Sequence, residues 1–353
     1  MMCSGGLQMK REDARLLLDE AAKSVQEFAR RVKNGEHVGE IEYQRELLYR
    51  ILMHTANVYK RFPFPEKTGE VNSLYVFVPG NVPIVPLQVL PVSIVYGLKT
   101  FFKLPHNERL FFHTFRKLLG DQFNFIEGDY LPHDEALKKA QEYDFVLIFG
   151  GRRAYKIAER INKPSRVFGP RFSIGYINTS ELDEQIAQKI AFDNLAFDTA
   201  GCLSLRFLFV RGRIDLNILK PGFEYMSSTL KPQSNFDRDI FEYGASVIIM
   251  DSVGYIQGED WIVAKVTGIP EFWPPRTLFV IEIDSPEDAL AILGNLKYNL
   301  QGTALDNVEF KKYFEDTSAS YFSKFGELQF PEPGWMFEKG VDINNILRGV
   351  ENV

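Results

Sequence analysis

From Leu74 to Val167 the chain alternates short apolar runs with helical stretches, and this alternation narrows the fold more than any other feature. The apolar runs are Leu74–Val78, Thr100–Leu104, Phe123–Ile126, Phe145–Phe149 and Ser165–Val167. Helical patterns over Val85–Leu98, Asn107–Leu119, Asp134–Gln141 and Ala154–Ile161 separate them. Parallel neighbouring strands need a crossover long enough for a helix, so the pattern predicts an open, largely parallel sheet covered on both faces. Such sheets bind nucleotides at the carboxyl ends of their strands.

Residues 1–70 read as a helical segment, with amphipathic helices over Arg11–Lys33 and Glu40–Lys60. Beyond the alternating region, Phe172–Ile177 and a helix over Ser180–Ala196 lead to strand-like runs at Leu205–Val210, Val247–Met250, Trp261–Val266 and Thr277–Ile283, then a helix over Pro286–Leu293. Gly222–Asp237, with Ser, Pro, Gln and Asn, reads as a long exposed loop. The expected division is a Rossmann-like nucleotide-binding domain over 71–194, a second α/β domain over 195–305, and a segment 306–353 returning to the first domain. The fold class is α/β, with the active site in the cleft between the two domains.

Composition removes several function classes. A net charge of −6, with no basic run interleaved with aromatics, argues against a nucleic-acid partner. The apolar stretch Leu74–Phe102 is broken by Pro79, Pro83, Pro86 and Pro91, so no membrane span is expected. Cys3 and Cys202 cannot make a disulfide framework, which points to a reducing compartment and a cytoplasmic location. No metal site is expected. The 30 Phe and 15 Tyr suit a large core or a lipophilic pocket, and the sequence does not separate the two.

Cys202 lies in Phe197-Asp198-Thr199-Ala200-Gly201-Cys202-Leu203-Ser204, a small-residue turn that opens the apolar run Leu205–Val210. A thiol on a Gly-flanked turn at the start of a strand has backbone N–H groups beside it, as a nucleophile that forms and releases a covalent intermediate requires. Taken alone, a mid-chain Cys is as readily a small buried apolar residue. No histidine is marked out as its partner by spacing.

The ordered landmarks resemble the aldehyde dehydrogenase superfamily, and within it the acyl-CoA reductases typified by the LuxC-type fatty acid reductase. The Asp198-Thr199-Ala200-Gly201-Cys202-Leu203-Ser204 turn is similar to the reductases' nucleophile turn, and Pro79-Gly80-Asn81-Val82-Pro83 resembles the superfamily's Pro-x-Asn-x-Pro signature. The resemblance implies that Cys202 attacks the substrate and that Asn81, with the Cys202 N–H, stabilises the oxyanion, at roughly 3 kcal/mol per donor. By the same resemblance Lys103 contacts the cofactor ribose and the Gly150-Gly151 turn admits its pyrophosphate at a helix N-terminus. Pro270-Glu271-Phe272-Trp273-Pro274 is similar to the Glu-x-Phe-Gly-Pro motif, which gives Glu271 the nicotinamide ribose and Trp273 the nicotinamide ring. Trp273 and Pro274 depart from that motif, so the ring geometry stays open.

One absence carries weight. Hydrolytic members of the superfamily have a glutamate general base where this chain reads Phe168-Gly169-Pro170-Arg171. Phe168 cannot abstract a proton, so the resemblance implies reduction of an acyl-CoA, or of an acyl thioester on a partner protein, to an aldehyde through an acyl-Cys202 intermediate. NADPH is the implied cofactor, with NADH the alternative; an acyl-transfer partner protein and a homo-oligomer are implied by the family alone. The competing readings are a non-catalytic binding or assembly subunit, and a hydrolytic dehydrogenase whose base comes from elsewhere, such as Glu271 or Glu181.

Overall fold

A computed structural model describes residues 10–38, 44–64, 71–333, 335, 337 and 339. The chain opens with a hairpin of two helices, α1 (Arg11–Lys33) and α2 (Arg45–Lys60). Buried residues recur along α1 at Ala14, Leu18, Ala21, Val25, Phe28 and Val32, which is the spacing of one helical stripe. The expected helix start at Glu40 lies outside the described residues.

The first sheet is built from β1 (Ser73–Phe77), α3 (Val85–Tyr96), β2 (Lys99–Leu104), α4 (Arg109–Leu119), β3 (Ile126–Tyr130), α5 (His133–Ala140), β4 (Phe145–Phe149), α6 (Arg153–Ala158) and β5 (Ser165–Phe168). Its strand order is β3-β2-β1-β4-β5 and every pairing is parallel, so the order reverses beside β1 and leaves a crevice at the carboxyl ends of β1 and β4. Helix α3 is buried nearly all round and carries Pro91 in its interior. Pro91 has no N–H for the Leu87 carbonyl one turn earlier, and the Tyr59 hydroxyl of α2 donates to that carbonyl instead.

The second sheet follows with β6 (Phe172–Asn178), α7 (Glu184–Leu195), β7 (Leu205–Arg211), α8 (Lys220–Thr229), α9 (Arg238–Asp251), β8 (Gly254–Gln257), β9 (Ile262–Lys265), β10 (Thr277–Ile283), α10 (Pro286–Leu293), β11 (Leu300–Leu305), α11 (Lys311–Phe314) and β12 (Tyr321–Ser323). The order is β12-β11-β6-β7-β10-β9-β8, parallel except for the edge pair β8–β9. The change of sheet therefore falls between Phe168 and Phe172, and β6 and α7 precede the boundary expected at 194.

Four expectations are corrected. Val247–Met250 is not a strand but the end of α9, whose Asp237 cap accepts from the Ile240 N–H at 2.9 Å. The first part of Gly222–Asp237 is helix α8, and Gly222 packs so tightly on α7 that an added Cβ would lie 2.5 Å from the Ala187 carbonyl carbon. The third strand starts at Ile126 rather than Phe123, because the Arg116 guanidinium gathers the carbonyls of Gly120, Phe123 and Ile126 at 2.8–3.1 Å and folds the preceding residues into a turn. Helix α7 starts at Glu184 rather than Ser180, capped by Asp183 accepting from the Ile186 N–H at 2.8 Å.

No described helix is long and apolar enough to cross a membrane.

Candidate active site

The carboxyl ends of β1, β4 and β5 in the first sheet meet the amino ends of β6, β7 and β11 in the second, and a cavity of about 440 Å³ lies between them. Cys202 opens into it and is the one free cysteine among the described residues. Asn81, Gly150, Gly151 and Phe168 line the same space. Lys103, Glu271 and Trp273 are not among its walls.

Phe197, Asp198 and Thr199 have φ of 51°, 53° and 61°, a left-handed run without glycine that costs on the order of 1–3 kcal/mol per residue. Such a run persists only where its surroundings over-determine it. Here every backbone carbonyl from Leu195 to Leu203 accepts a hydrogen bond. Side chains supply six of the donors: Gln44 to Leu195, Ser204 to Ala196, Arg206 to Thr199, Asn81 to Ala200, Ser173 to Cys202 and Gln329 to Leu203, at 2.6–2.9 Å. The N–H groups of Ala200, Arg276 and Ser204 supply the other three.

The Asp198 side chain turns inward and meets Arg276, which is fully buried and itself left-handed. Arg276 Nη1 lies 2.9 Å from Asp198 Oδ1, and Nη2 lies 3.2 Å from Asp260 Oδ2. The backbone and side-chain N–H groups of Gln233 complete the shell of Asp198 at 3.0 and 3.3 Å. Burial raises the Asp198 pKa, opposed by Arg276 and Gln233.

With its carbonyls tied back, the turn directs N–H groups at the thiol. Cys202 is exposed to the cavity, yet the protein around it disfavours the thiolate, and this desolvation pushes its pKa up to about 11. Its own N–H, the charge of Arg171 and the Leu203 N–H pull the other way. Arg171 lines the cavity and is anchored by Nη1 on the Leu300 carbonyl and on Ser318 Oγ, both at 3.1 Å.

Asn81 spends one amide N–H on the Ala200 carbonyl at 2.6 Å, two residues before the thiol. An amide carries a second N–H, which that bond leaves uncommitted. On the opposite wall, Phe168 stacks on Phe149 with centroids 4.7 Å apart, and Phe337 closes edge-on against Phe149 at 4.9 Å. Among the described wall residues there is no Asp, Glu or His. A thiol, amide donors and one guanidinium can attack and stabilise a carbonyl, but no acidic or imidazole side chain among the described walls can activate water by taking its proton.

The remaining expected site residues sit elsewhere. Lys103 is the penultimate residue of β2, half-buried, with Nζ 5.2 Å from the Tyr130 ring centre and its pKa lowered by burial. Trp273 packs edge-on against Phe172 and Phe207 at 5.1 and 5.0 Å, and its indole N–H donates to the Pro270 carbonyl at 2.7 Å, so its ring is engaged in the core. Glu271 is exposed on the same loop.

Sequence reasoning missed Arg171, Gln301, Gln329, Trp335 and Phe337 as walls. Arg171 stands in the quoted Phe168-Gly169-Pro170-Arg171 stretch, so its charge was readable there. The other four come from β11 and from the segment after β12, and nothing in their spacing ties them to Cys202.

Residues 72–231 match the family model described as acyl-CoA reductase (LuxC). No curated protein matches the chain. Among solved structures it is similar to an oxidoreductase from Marinobacter aquaeolei, with TM-score 0.73 at 10% identity over 97% of this chain and 85% of the other. It is also similar to an acetylating aldehyde dehydrogenase from Geobacillus thermoglucosidasius, with TM-score 0.68 at 15% identity over 93% and 84%. A third is an NAD-dependent aldehyde dehydrogenase from Sinorhizobium meliloti, with TM-score 0.69 at 14% identity over 90% and 75%. Identities this low speak to the fold alone.

Proposed function

This chain carries an acyl-CoA reductase (LuxC) match over residues 72–231 on an aldehyde-dehydrogenase-like fold, and from that premise we propose that it reduces an acyl-CoA, or an acyl thioester on a partner protein, to an aldehyde. The observation that carries the reading is the cavity itself. Cys202 and Asn81 share it with the Gly150-Gly151 turn, and its described walls hold no base that could hydrolyse an acyl-enzyme.

In the first half-reaction the Cys202 thiolate attacks the thioester carbon and expels the departing thiolate, which takes up the proton Cys202 released. The carbonyl oxygen gains negative charge and accepts hydrogen bonds from Asn81 and from the Cys202 N–H. A nicotinamide cofactor, which the Gly150-Gly151 turn, Lys103, Glu271 and Trp273 would hold, would supply a hydride equivalent to the acyl carbon. The resulting thiohemiacetal oxyanion re-forms its carbonyl, breaks the C–S bond and releases the aldehyde, and Cys202 regains a proton from solvent. Phe168, Phe149 and Phe337 keep the thioester in apolar surroundings, where water is a poor competitor.

Open space at the Gly150-Gly151 turn supports the reading that it admits a diphosphate: a Cβ added at Gly151 would meet nothing within 4 Å. Lys103, Glu271 and Trp273 remain proposed cofactor contacts on the strength of the resemblance. NADPH is the proposed cofactor; a homo-oligomer and an acyl-transfer partner are proposed by family analogy, and a cytoplasmic location from the two-cysteine composition. The hydrolytic alternative loses support, since neither Glu271 nor Glu181 lines the cavity.

The test is NADPH consumption with aldehyde detection on medium and long acyl-CoA substrates, comparing the native protein with Cys202→Ala. Turnover in the native protein that falls at least a thousandfold in the variant is expected. Equal turnover in both would remove Cys202 from the mechanism.

A further inference from the structure

The turn that presents Cys202 is gripped by a residue that precedes it by most of the N-terminal half of the chain. Gln44, immediately before α2, is 5% exposed and reaches into the core beside the left-handed run. Its side-chain oxygen accepts from the Phe197 N–H at 2.8 Å. Its amide nitrogen lies 2.9 Å from the Leu195 carbonyl, 3.4 Å from the Leu230 carbonyl and 3.5 Å from Asp198 Oδ1.

These contacts bracket the point where the chain changes hand. Leu195 ends α7 in the right-handed region, and Phe197 is the first left-handed residue. A change of φ at Phe197 would swing every atom from Asp198 to Cys202. One planar amide fixes the carbonyl before that point and the N–H at it, so the two can be held only in one relative orientation. Gln44, Gln233 and Arg276, which meet at Asp198, all lie outside residues 72–231.

We propose that Gln44 is a positioning residue for the nucleophile: through the Leu195 carbonyl and the Phe197 N–H it sets the direction of the turn and hence the aim of the Cys202 sulfur. The proposal rests on the reading of Cys202 as nucleophile. It assigns to the N-terminal helical hairpin a part in the chemistry beyond packing.

The experiment uses the full chain in a Cys3→Ser background, so that Cys202 is the sole thiol, and compares Gln44→Leu with Gln44→Glu. Two readouts are taken: the pH profile of Cys202 alkylation by iodoacetamide, and the split between kcat and KM with acyl-CoA. Gln44→Leu is expected to lower kcat ten- to a hundredfold with KM within about threefold, and to move the alkylation profile to higher pH as the N–H groups lose their aim. Gln44→Glu regains a donor only when its carboxyl is protonated, so its alkylation rate relative to the native protein should climb as pH falls. A merely structural residue would not produce that climb.

A folded Gln44→Leu with the native alkylation profile and kcat overturns the proposal. If Gln44→Leu does not fold, the Gln44→Glu ratio decides, and a ratio flat in pH overturns it equally. Absence of acyl-CoA turnover in the native protein would sink the reductase reading instead, while the alkylation profiles still judge Gln44.

Discussion

Between Leu195 and Leu203 every carbonyl is held by a donor drawn from Gln44, Asn81, Ser173, Ala200, Ser204, Arg206, Arg276 or Gln329, and three consecutive residues keep a costly left-handed backbone. Across the same cavity, the Gly150–Arg153 turn is tied by the Gly150 N–H to Phe168 and the Ala154 N–H to Gly151, with Arg152 and Arg153 exposed and open space beside Gly151. The contrast follows from what each wall would be asked to do. A nucleophile must be aimed to within a fraction of an ångström, whereas a turn that admits a diphosphate has only to leave room and present N–H groups.

The comparison can be broken at several points. Arg276→Met leaves Asp198 and Asp260 buried without their counter-charge and is expected to cost about 3–5 kcal/mol, read as a fall in chemical-denaturation midpoint. A loss under about 1 kcal/mol would mean that the turn holds itself. Asn81→Ala removes the donor to Ala200 together with the proposed oxyanion contact, and a loss of roughly a hundredfold in kcat with little change in melting temperature is expected. A pure stability loss would make Asn81 a strut.

Smaller effects sharpen it. With the thiol at about 11, alkylation of the free protein should rise about tenfold per pH unit between neutrality and pH 10. The sign follows from the acid: desolvation favours the neutral thiol, so thiolate is scarce below that pKa. Arg171→Met removes a charge that opposes the shift and should slow alkylation in this window by roughly threefold. Gly151→Ala should change stability by less than about 0.5 kcal/mol, since its Cβ enters empty space, while shrinking the rise in melting temperature that NADPH produces. An undiminished rise would move the diphosphate away from this turn.

Much of this arrangement was legible along the chain. The alternation from Leu74 to Val167 gave five parallel strands in one sheet, because a βαβ unit leaves local marks in every crossover. Cys202, Asn81 and the Gly150-Gly151 pair, each picked out by the local residue types of a short turn, line one cavity. The end of α9 was not: Val247–Met250 reads as a strand until the Asp237 cap and the buried Phe241, Ala245 and Ile248 stripe reveal the helical period. Trp273 packs edge-on against Phe172 and Phe207, a pairing across the fold that no sequence spacing displays. Gln44 was unreadable for a simpler reason: a glutamine leaves no sign of which carbonyl it will reach across the fold.

The walls of the cavity also impose an order in time. Trp335, Phe337 and Gln329 line the cavity together with the thiol, yet all three are synthesised well after it. At ribosomal speeds of about 5–20 residues per second, roughly 7–27 s separate the making of Cys202 from that of Trp335. During that interval the nascent chain holds the thiol without these walls, and the cavity is complete only when late residues fold back over an early turn.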